Sequence, residues 1–232
     1  MQANKLVDLS QAFLKAVKLK EPYNEIRQEL VSLNPAQIAT DLKGETDKKA
    51  FWLNMYNAFI QILLKENPGL YQNLGQFFSK KLIMIAHQKI SFDDIEHGIL
   101  RQSQYKYGFG YIKSWFSGSF IKESQVKHRD YRVHFALNCG AKSCPPILFY
   151  KSESIDNQLD IASKNYLEQT CEYNPISRVV LVPKLMLWFH GDFDGRQGII
   201  QLLKKHQIIP ANTQPKIKYQ VYDWGLALDK FA

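Results

Sequence analysis

The densest reactive chemistry in the sequence lies in Val133-His134-Phe135-Ala136-Leu137-Asn138-Cys139-Gly140-Ala141-Lys142-Ser143-Cys144-Pro145-Pro146. A cysteine reacts as its thiolate, and a nearby imidazole, backbone N–H dipoles or a lysine such as Lys142 lowers a thiol's pKa from about 8.5. Three readings are open. In the first, Cys139 is a nucleophile, His134 or His97 is its base, and an Asn or Asp orients that base. In the second, His134, Cys139 and Cys144, with or without His97, hold zinc. The spacings of five and five do not match a zinc finger, and there is no Cys-x-x-Cys pair. In the third, the cysteines are small buried apolar side chains, a reading that suits Cys171 best. His134 and Asn138 are four apart and share a face in strand or helix alike. Gly140 permits a turn after Cys139, and such a turn can aim backbone N–H groups at a developing oxyanion.

Two further clusters bear on the same chemistry. In Asp93-Asp94-Ile95-Glu96-His97-Gly98-Ile99-Leu100-Arg101, helical spacing sets Asp94, His97 and Arg101 on one face. The plain alternative is a surface row of ion pairs. In Trp188-Phe189-His190-Gly191-Asp192-Phe193-Asp194-Gly195, an acid stands among aromatics. It is no calcium loop, because Arg196 and Leu203 occupy the fifth and twelfth positions counted from Asp192. Asp192 caps the next helix or orients a histidine. The catalytic set is therefore Cys139, His134, His97 and Asp192. Asn54, Asn57, Asn138, Ser143, Glu96 and Arg101 are the residues expected to bind substrate. No Gly-x-Gly-x-x-Gly, Walker A, Gly-x-Ser-x-Gly or His-Glu-x-x-His pattern occurs. No metal or cofactor is expected.

The elements that must position these residues are mostly helical. Leu6, Leu9, Phe13, Ala16 and Val17 form an amphipathic stripe. A second helical stretch begins near Pro22 and is interrupted at Asn34-Pro35. A third, about 47 to 66, stops at Asn67-Pro68-Gly69. On its wheel Asn54, Asn57 and Gln61 fall within about 60° of one another, and nearly everything else is apolar. Buried amides need partners. Either they hold the backbone of a neighbouring loop or they line a polar cavity. A small hairpin is expected around His87-Gln88. Ser91 and Asp94 then make a capping-box-like helix start. Residues 105 to 120 read as loop, 131 to 137 as strand or short helix, 153 to 172 as helix, 177 to 182 as strand, 195 to 206 as helix and 218 to 222 as a last strand. The expected architecture is a single α+β domain, predominantly helical with a small, mostly antiparallel sheet. Residues 1–44 form an N-terminal helical extension and 45–232 the core.

Composition is that of a globular chain. Among 232 residues, 45% are apolar and 22% charged, which excludes disordered and collagen-like classes. Lys and Arg number 30 against 22 Asp and Glu, a formal charge of +8, but the basic residues are scattered and the longest run is a pair. No nucleic-acid footprint is read from that pattern. No apolar run is long enough to span a membrane. The start, MQANKLVDLSQAF, does not resemble a signal peptide. With only three cysteines there is no disulfide framework. The expectation is a cytoplasmic protein acting on an unknown small molecule or peptide. The sequence does not give its oligomeric state.

Phe51-Trp52-Leu53-Asn54-Met55-Tyr56-Asn57-Ala58, Asp94 through Arg101 and His134 through Pro146 resemble three signatures of the domain of unknown function 547 family. Trp188 through Phe193 and Tyr222-Asp223-Trp224 are similar to that family as well, so the likeness runs from about residue 45 to the end. The resemblance implies that Asn54, Asn57, His97, His134 and Asp192 are positions the family tends to keep, and that His190 is not. It implies a cysteine at Cys139 where Cys144 can be replaced by serine. That favours Cys139 as nucleophile and weighs against zinc or a Cys139–Cys144 disulfide as the shared function. Two functions remain in view. One is a cysteine-nucleophile hydrolase or acyl/amide transferase. The other is a non-catalytic peptide- or ligand-binding module with a structural His/Asn/Cys cluster.

Overall fold

The computed structural model describes residues 4–115 and 117–232. Helix α1 (Lys5–Leu19) starts at Asn4, whose side chain accepts hydrogen bonds from the Leu6 and Val7 N–H groups. Helices α2 (Asn24–Ser32) and α3 (Pro35–Asp41) follow, the second capped by Asn34 with proline at its first position. Helix α4 (Glu45–Glu66) is buried at every position from Ala50 to Leu64. That follows from a wheel apolar on nearly all sides. α1 lies along it with Leu6, Phe13, Leu14 and Val17 in the shared core. Each such side chain contributes roughly 1.5–3 kcal/mol on burial.

After α5 (Leu74–Ser79), strands β1 (Ile83–Ile85) and β2 (Gln88–Ile90) form the expected hairpin, with Ile83 opposite Ile90. Ala86 and His87 at its turn both have positive φ, 50° and 56°, the backbone that a two-residue hairpin prefers. Neither residue type adopts it readily. Their N–H groups are tied to the Leu30 and Val31 carbonyls of α2 at 2.8 and 2.9 Å, which holds the turn. The capping box forms reciprocally: Ser91 N–H donates to Asp94 at 2.8 Å and Asp94 N–H to the Ser91 hydroxyl at 3.0 Å. The segment it opens, Asp94–Leu100, is a π-helix rather than an α-helix, and the Arg101 N–H reaches back five residues to the Glu96 carbonyl.

Short helix α6 (Ser119–Ser124) and a 3₁₀ turn at Tyr131–Phe135 lead to α7 (Ile155–Thr170). α7 ends earlier than its pattern suggests. Cys171 is already extended, and β3 (Glu172–Asn174) begins at the next residue. β3 pairs antiparallel with β4 (Val179–Val182), which pairs in parallel with β5 (Lys216–Tyr219). Helices α8 (Leu185–Trp188) and α9 (Gly195–Lys205) lie between β4 and β5. Val180, Val182, Ile199, Leu203, Leu167 and Phe135 make a second core over this sheet. The fold is α+β and predominantly helical as expected, with its strands divided between an antiparallel hairpin and a mixed three-stranded sheet. Among the described residues no helix is long and apolar enough to cross a membrane.

Candidate functional site

A cavity of about 460 Å³ lies where the segments carrying the sequence signatures meet. Tyr56 comes from α4, Glu96 and His97 from the π-helix, His134 from the 3₁₀ turn and Cys139 from the loop beyond it. Trp188, Phe189, Tyr222 and Trp224 close the apolar side. Four of the expected residues therefore line one space: Cys139, His134, His97 and Glu96.

Asp192 stands behind them. Its side chain is 2% exposed and takes three donors: Arg101 Nε at 2.6 Å, Arg129 Nη1 at 2.9 Å and His134 Nε2 at 2.9 Å. Burial alone would raise its carboxyl, but the bonds and charges of His134 and Arg101 outweigh that and hold it well below the carboxylate range. A glycine permits this close packing. Gly110 has φ +83°, and a Cβ there would lie 2.6 Å from an Asp192 oxygen.

The two histidines carry their proton on the same nitrogen, Nε2, and differ in what meets Nδ1. Because an ionised Asp192 only accepts, His134 Nε2 carries the proton, and Nδ1 has no protein partner among the described residues. Burial lowers the pKa of His134 against the pull of Asp192, so the ring is neutral and its free nitrogen can accept. Phe189 stacks on it at 3.9 Å. His97 is bonded at Nδ1 by Arg101 Nη1, 2.8 Å away. Arginine only donates, so His97 holds its proton on Nε2. Burial and then Arg101 keep its pKa well below the ordinary histidine value. Glu96 is hydrogen-bonded by the Tyr56 hydroxyl at 3.4 Å, and burial pushes its carboxyl up to about 7.

Cys139 and Cys144 are paired as a disulfide, the pairing against which the family resemblance weighs as a shared feature. Cys139 is half-buried at the cavity wall, whereas Cys144 is 2% exposed. The Tyr222 hydroxyl lies 3.3 Å from one sulfur and 3.2 Å from the other. Most of the backbone N–H groups expected to form an oxyanion site around Cys139 are already taken, Ala141 excepted. The Cys139 N–H bonds the Cys144 sulfur, Gly140 N–H the Asn138 side chain, and Lys142, Ser143 and Cys144 N–H groups bond carbonyls. Gly140 does make the turn, at φ +87°, with Leu64 so close that a Cβ would meet it at 2.9 Å.

The expected substrate-binding amides stand outside the cavity. Asn54 brackets the backbone of Tyr150, accepting from its N–H and donating to its carbonyl, both at 2.9 Å. Asn57 accepts from Asn138 N–H at 2.9 Å and donates to the Ala136 carbonyl at 3.0 Å. Asn138 donates to the Pro145 carbonyl at 2.7 Å. Ser143 accepts from Asp223 N–H at 2.9 Å and so ties the loop to the Tyr222 segment. Their polar atoms are spent on backbone, which corrects their assignment to substrate. Arg101 gives Nε to Asp192 and Nη1 to His97, with its buried Nη2 left unpartnered among the described residues, and at 1% exposure it is no surface ion pair. Asp94 caps the π-helix instead of joining His97. Sequence reasoning missed Tyr56, Asp93 and Arg129. For Tyr222 the signal was its place in the Tyr-Asp-Trp motif. Among the described residues no group of three or more His, Cys, Asp or Glu is arranged to hold a metal ion.

The sequence model of the family described as a protein of unknown function, DUF547, matches residues 39–167. The chain belongs to the DUF547 family. The matched span carries Asn54, Glu96, His97, His134 and Cys139, whereas Asp192 and Tyr222 lie beyond it. No curated protein and no solved structure matches the chain.

Proposed function

We propose that this DUF547 chain is a cysteine-nucleophile enzyme that hydrolyses or transfers an acyl group from a small ester, thioester or amide, including a peptide amide. The observation that carries the reading is His134. Asp192 fixes its Nε2, its Nδ1 has no partner among the described residues, and the residue lines the same cavity as Cys139. In reduced protein, His134 Nδ1 takes the Cys139 proton and the thiolate attacks the acyl carbon. Tyr222 O–H, held protonated by burial, donates to the oxyanion; such a donor is worth roughly 3–4 kcal/mol. The leaving group takes a proton from Glu96, whose carboxyl near pH 7 is poised to give one. Water or an amine then releases the thioester. The aromatic walls suit an apolar acyl group, and the scattered basic residues give no reason to invoke nucleic acid.

A second reading, ligand binding without catalysis, is favoured by the disulfide, which leaves Cys139 without a thiolate. The experiment is to incubate reduced protein with p-nitrophenyl butyrate and locate the acyl adduct by mass spectrometry. A butyryl group on Cys139, formed at least tenfold more slowly in His134→Ala, is the expected result. No adduct on Cys139 in folded, reduced protein would leave the binding module standing.

A further inference from the structure

We propose that Cys139 and Cys144 form a redox couple that exchanges with low-molecular-weight or peptide disulfides and thiols entering the cavity. The proposal shares with the acyl-transfer reading only the access of Cys139 to that space.

Three observations carry it. The sulfurs are already joined, five residues apart, across the Gly140 turn. Their environments are unequal: Cys139 lines the cavity and Cys144 is buried behind it. That is the asymmetry an exchange reaction needs, with one sulfur meeting the substrate and the other resolving the product. Finally, two donors converge on the pair. The Tyr222 hydroxyl reaches both sulfurs, and the Cys139 N–H points at Cys144 Sγ from 3.0 Å. Hydrogen bonds to sulfur stabilise the thiolate, so whichever sulfur is released on opening the bond finds a donor in place. The Lys230 ammonium is held on the Lys142 and Cys144 carbonyls, which puts a positive charge on the backbone of the buried cysteine.

The chemistry balances without a cofactor. In the reduced protein the Cys139 thiolate attacks one sulfur of a substrate disulfide, and the first substrate thiolate leaves. Cys144, as thiolate, attacks the Cys139 sulfur of the mixed disulfide, and the second substrate thiolate leaves. The protein dithiol loses two electrons, the substrate gains two, and the two protons of the pair end on the two product thiols. A thiol donor such as glutathione runs the sequence backwards and restores the dithiol.

The test uses the full chain in two measurements. First, native wild-type protein is equilibrated against ratios of reduced to oxidised dithiothreitol, quenched in acid and alkylated, with Cys171 as internal control. Burial pushes that thiol up to about 12, so it should stay unmodified in the native state. A single reversible transition, two thiols gained at once, is expected. Second, reduced Cys144→Ser is mixed with glutathione disulfide. A stable glutathione adduct on Cys139, forming at least a hundredfold faster than on Cys171, is expected, while wild type ends oxidised without an adduct. A pair that changes state only after unfolding in urea would overturn the proposal, as would a folded Cys144→Ser protein with no adduct on Cys139. Reversible exchange without acylation sinks the acyl-transfer reading alone. Acylation of Cys139 without exchange sinks this one alone.

Discussion

Asn54 and Asn57 of α4 and the polar residues of the cavity wall are both buried in an apolar setting, and they behave oppositely. Asn54 and Asn57 spend oxygen and nitrogen alike on loop backbone, bracketing Tyr150 on one side and the Ala136–Asn138 stretch on the other. At the cavity, His134 keeps a ring nitrogen free, Glu96 keeps a carboxyl that burial makes reluctant to ionise, and Tyr222 keeps a hydroxyl against two sulfurs. A buried polar residue with every atom paired holds structure. One with an atom to spare, facing a cavity, can do chemistry. Asp192 joins the two regions, since its own atoms are committed but the commitment frees His134.

The largest effect should come from breaking that joint. Asp192→Asn leaves Arg101 buried beside a neutral partner, and breaking a buried ion pair typically costs about 3–5 kcal/mol. Urea unfolding at pH 7 reads it. The sign with pH follows from a carboxyl held below its unfolded value. Its stabilisation is full at neutral pH and is lost as pH falls from about 4 towards its depressed folded pKa. The gap between wild type and Asp192→Asn should therefore narrow in acid. A gap independent of pH would contradict the charge argument.

Asn57→Leu removes the partners of one N–H and one carbonyl that are both buried. At about 1–3 kcal/mol for each orphaned group, stability should drop by about 2–6 kcal/mol. The alkylation rate of Cys139 per folded, reduced molecule should hold. A protein of wild-type stability with a silent Cys139 would move Asn57 into the site and erase the contrast between the two regions.

Glu96→Gln works in the other direction. Wild-type Glu96 titrates near 7 when folded and near 4.3 when unfolded. A raised acid binds its proton more tightly in the folded state, so it withdraws stability as pH climbs from about 4 to 7. The loss reaches roughly 4 kcal/mol above pH 8, by the energy of a pKa change. Glu96→Gln should lack that decline and be the more stable protein at pH 8, a comparison that thermal melts across pH 4 to 9 would make. Equal slopes for both proteins would place Glu96 in water.

Tyr222→Phe deletes one hydroxyl at the two sulfurs. Loss of a hydrogen bond to a thiolate, about 1.5–3 kcal/mol, should slow alkylation of reduced Cys139 by about 10-fold or more with little change in folding. An unchanged rate would assign the hydroxyl to packing.

Much of this contrast was legible in the sequence because it depends on local rules. The Ser91–Asp94 box, the hairpin, the length of α4 and the inward stripe of Asn54 and Asn57 follow from spacing and capping. What the stripe touches did not, since Tyr150 and Ala136 are distant in sequence and only the fold brings them to α4. The π-helix was invisible for a related reason. An α-helical wheel sets Asp94 with His97 and Arg101, but the wider turn and the cap turn Asp94 away and leave His97 on Arg101. β3 was hidden because the apolar period of α7 fades without a breaker at Thr170–Cys171. The oxyanion reading weakened because a glycine turn says where N–H groups can point but not that Asn138 and Cys144 already occupy the two nearest Cys139. The distinction between His134 and His97 rests on Asp192 and Arg101, partners that pattern alone could suggest but not assign.

The acyl-transfer proposal stands on the activation of Cys139 by His134, itself positioned by Asp192. It is tested most directly by the alkylation rate of Cys139 in reduced, folded protein from pH 5 to 9, in wild type and His134→Ala. The expected result is a midpoint well below the ordinary thiol value of about 8.5 in wild type, with a rise towards that value and at least a tenfold slower reaction at pH 7 in the variant. A Cys139 that reacts no faster than Cys171 until the protein unfolds would contradict it, as would identical profiles for the two proteins.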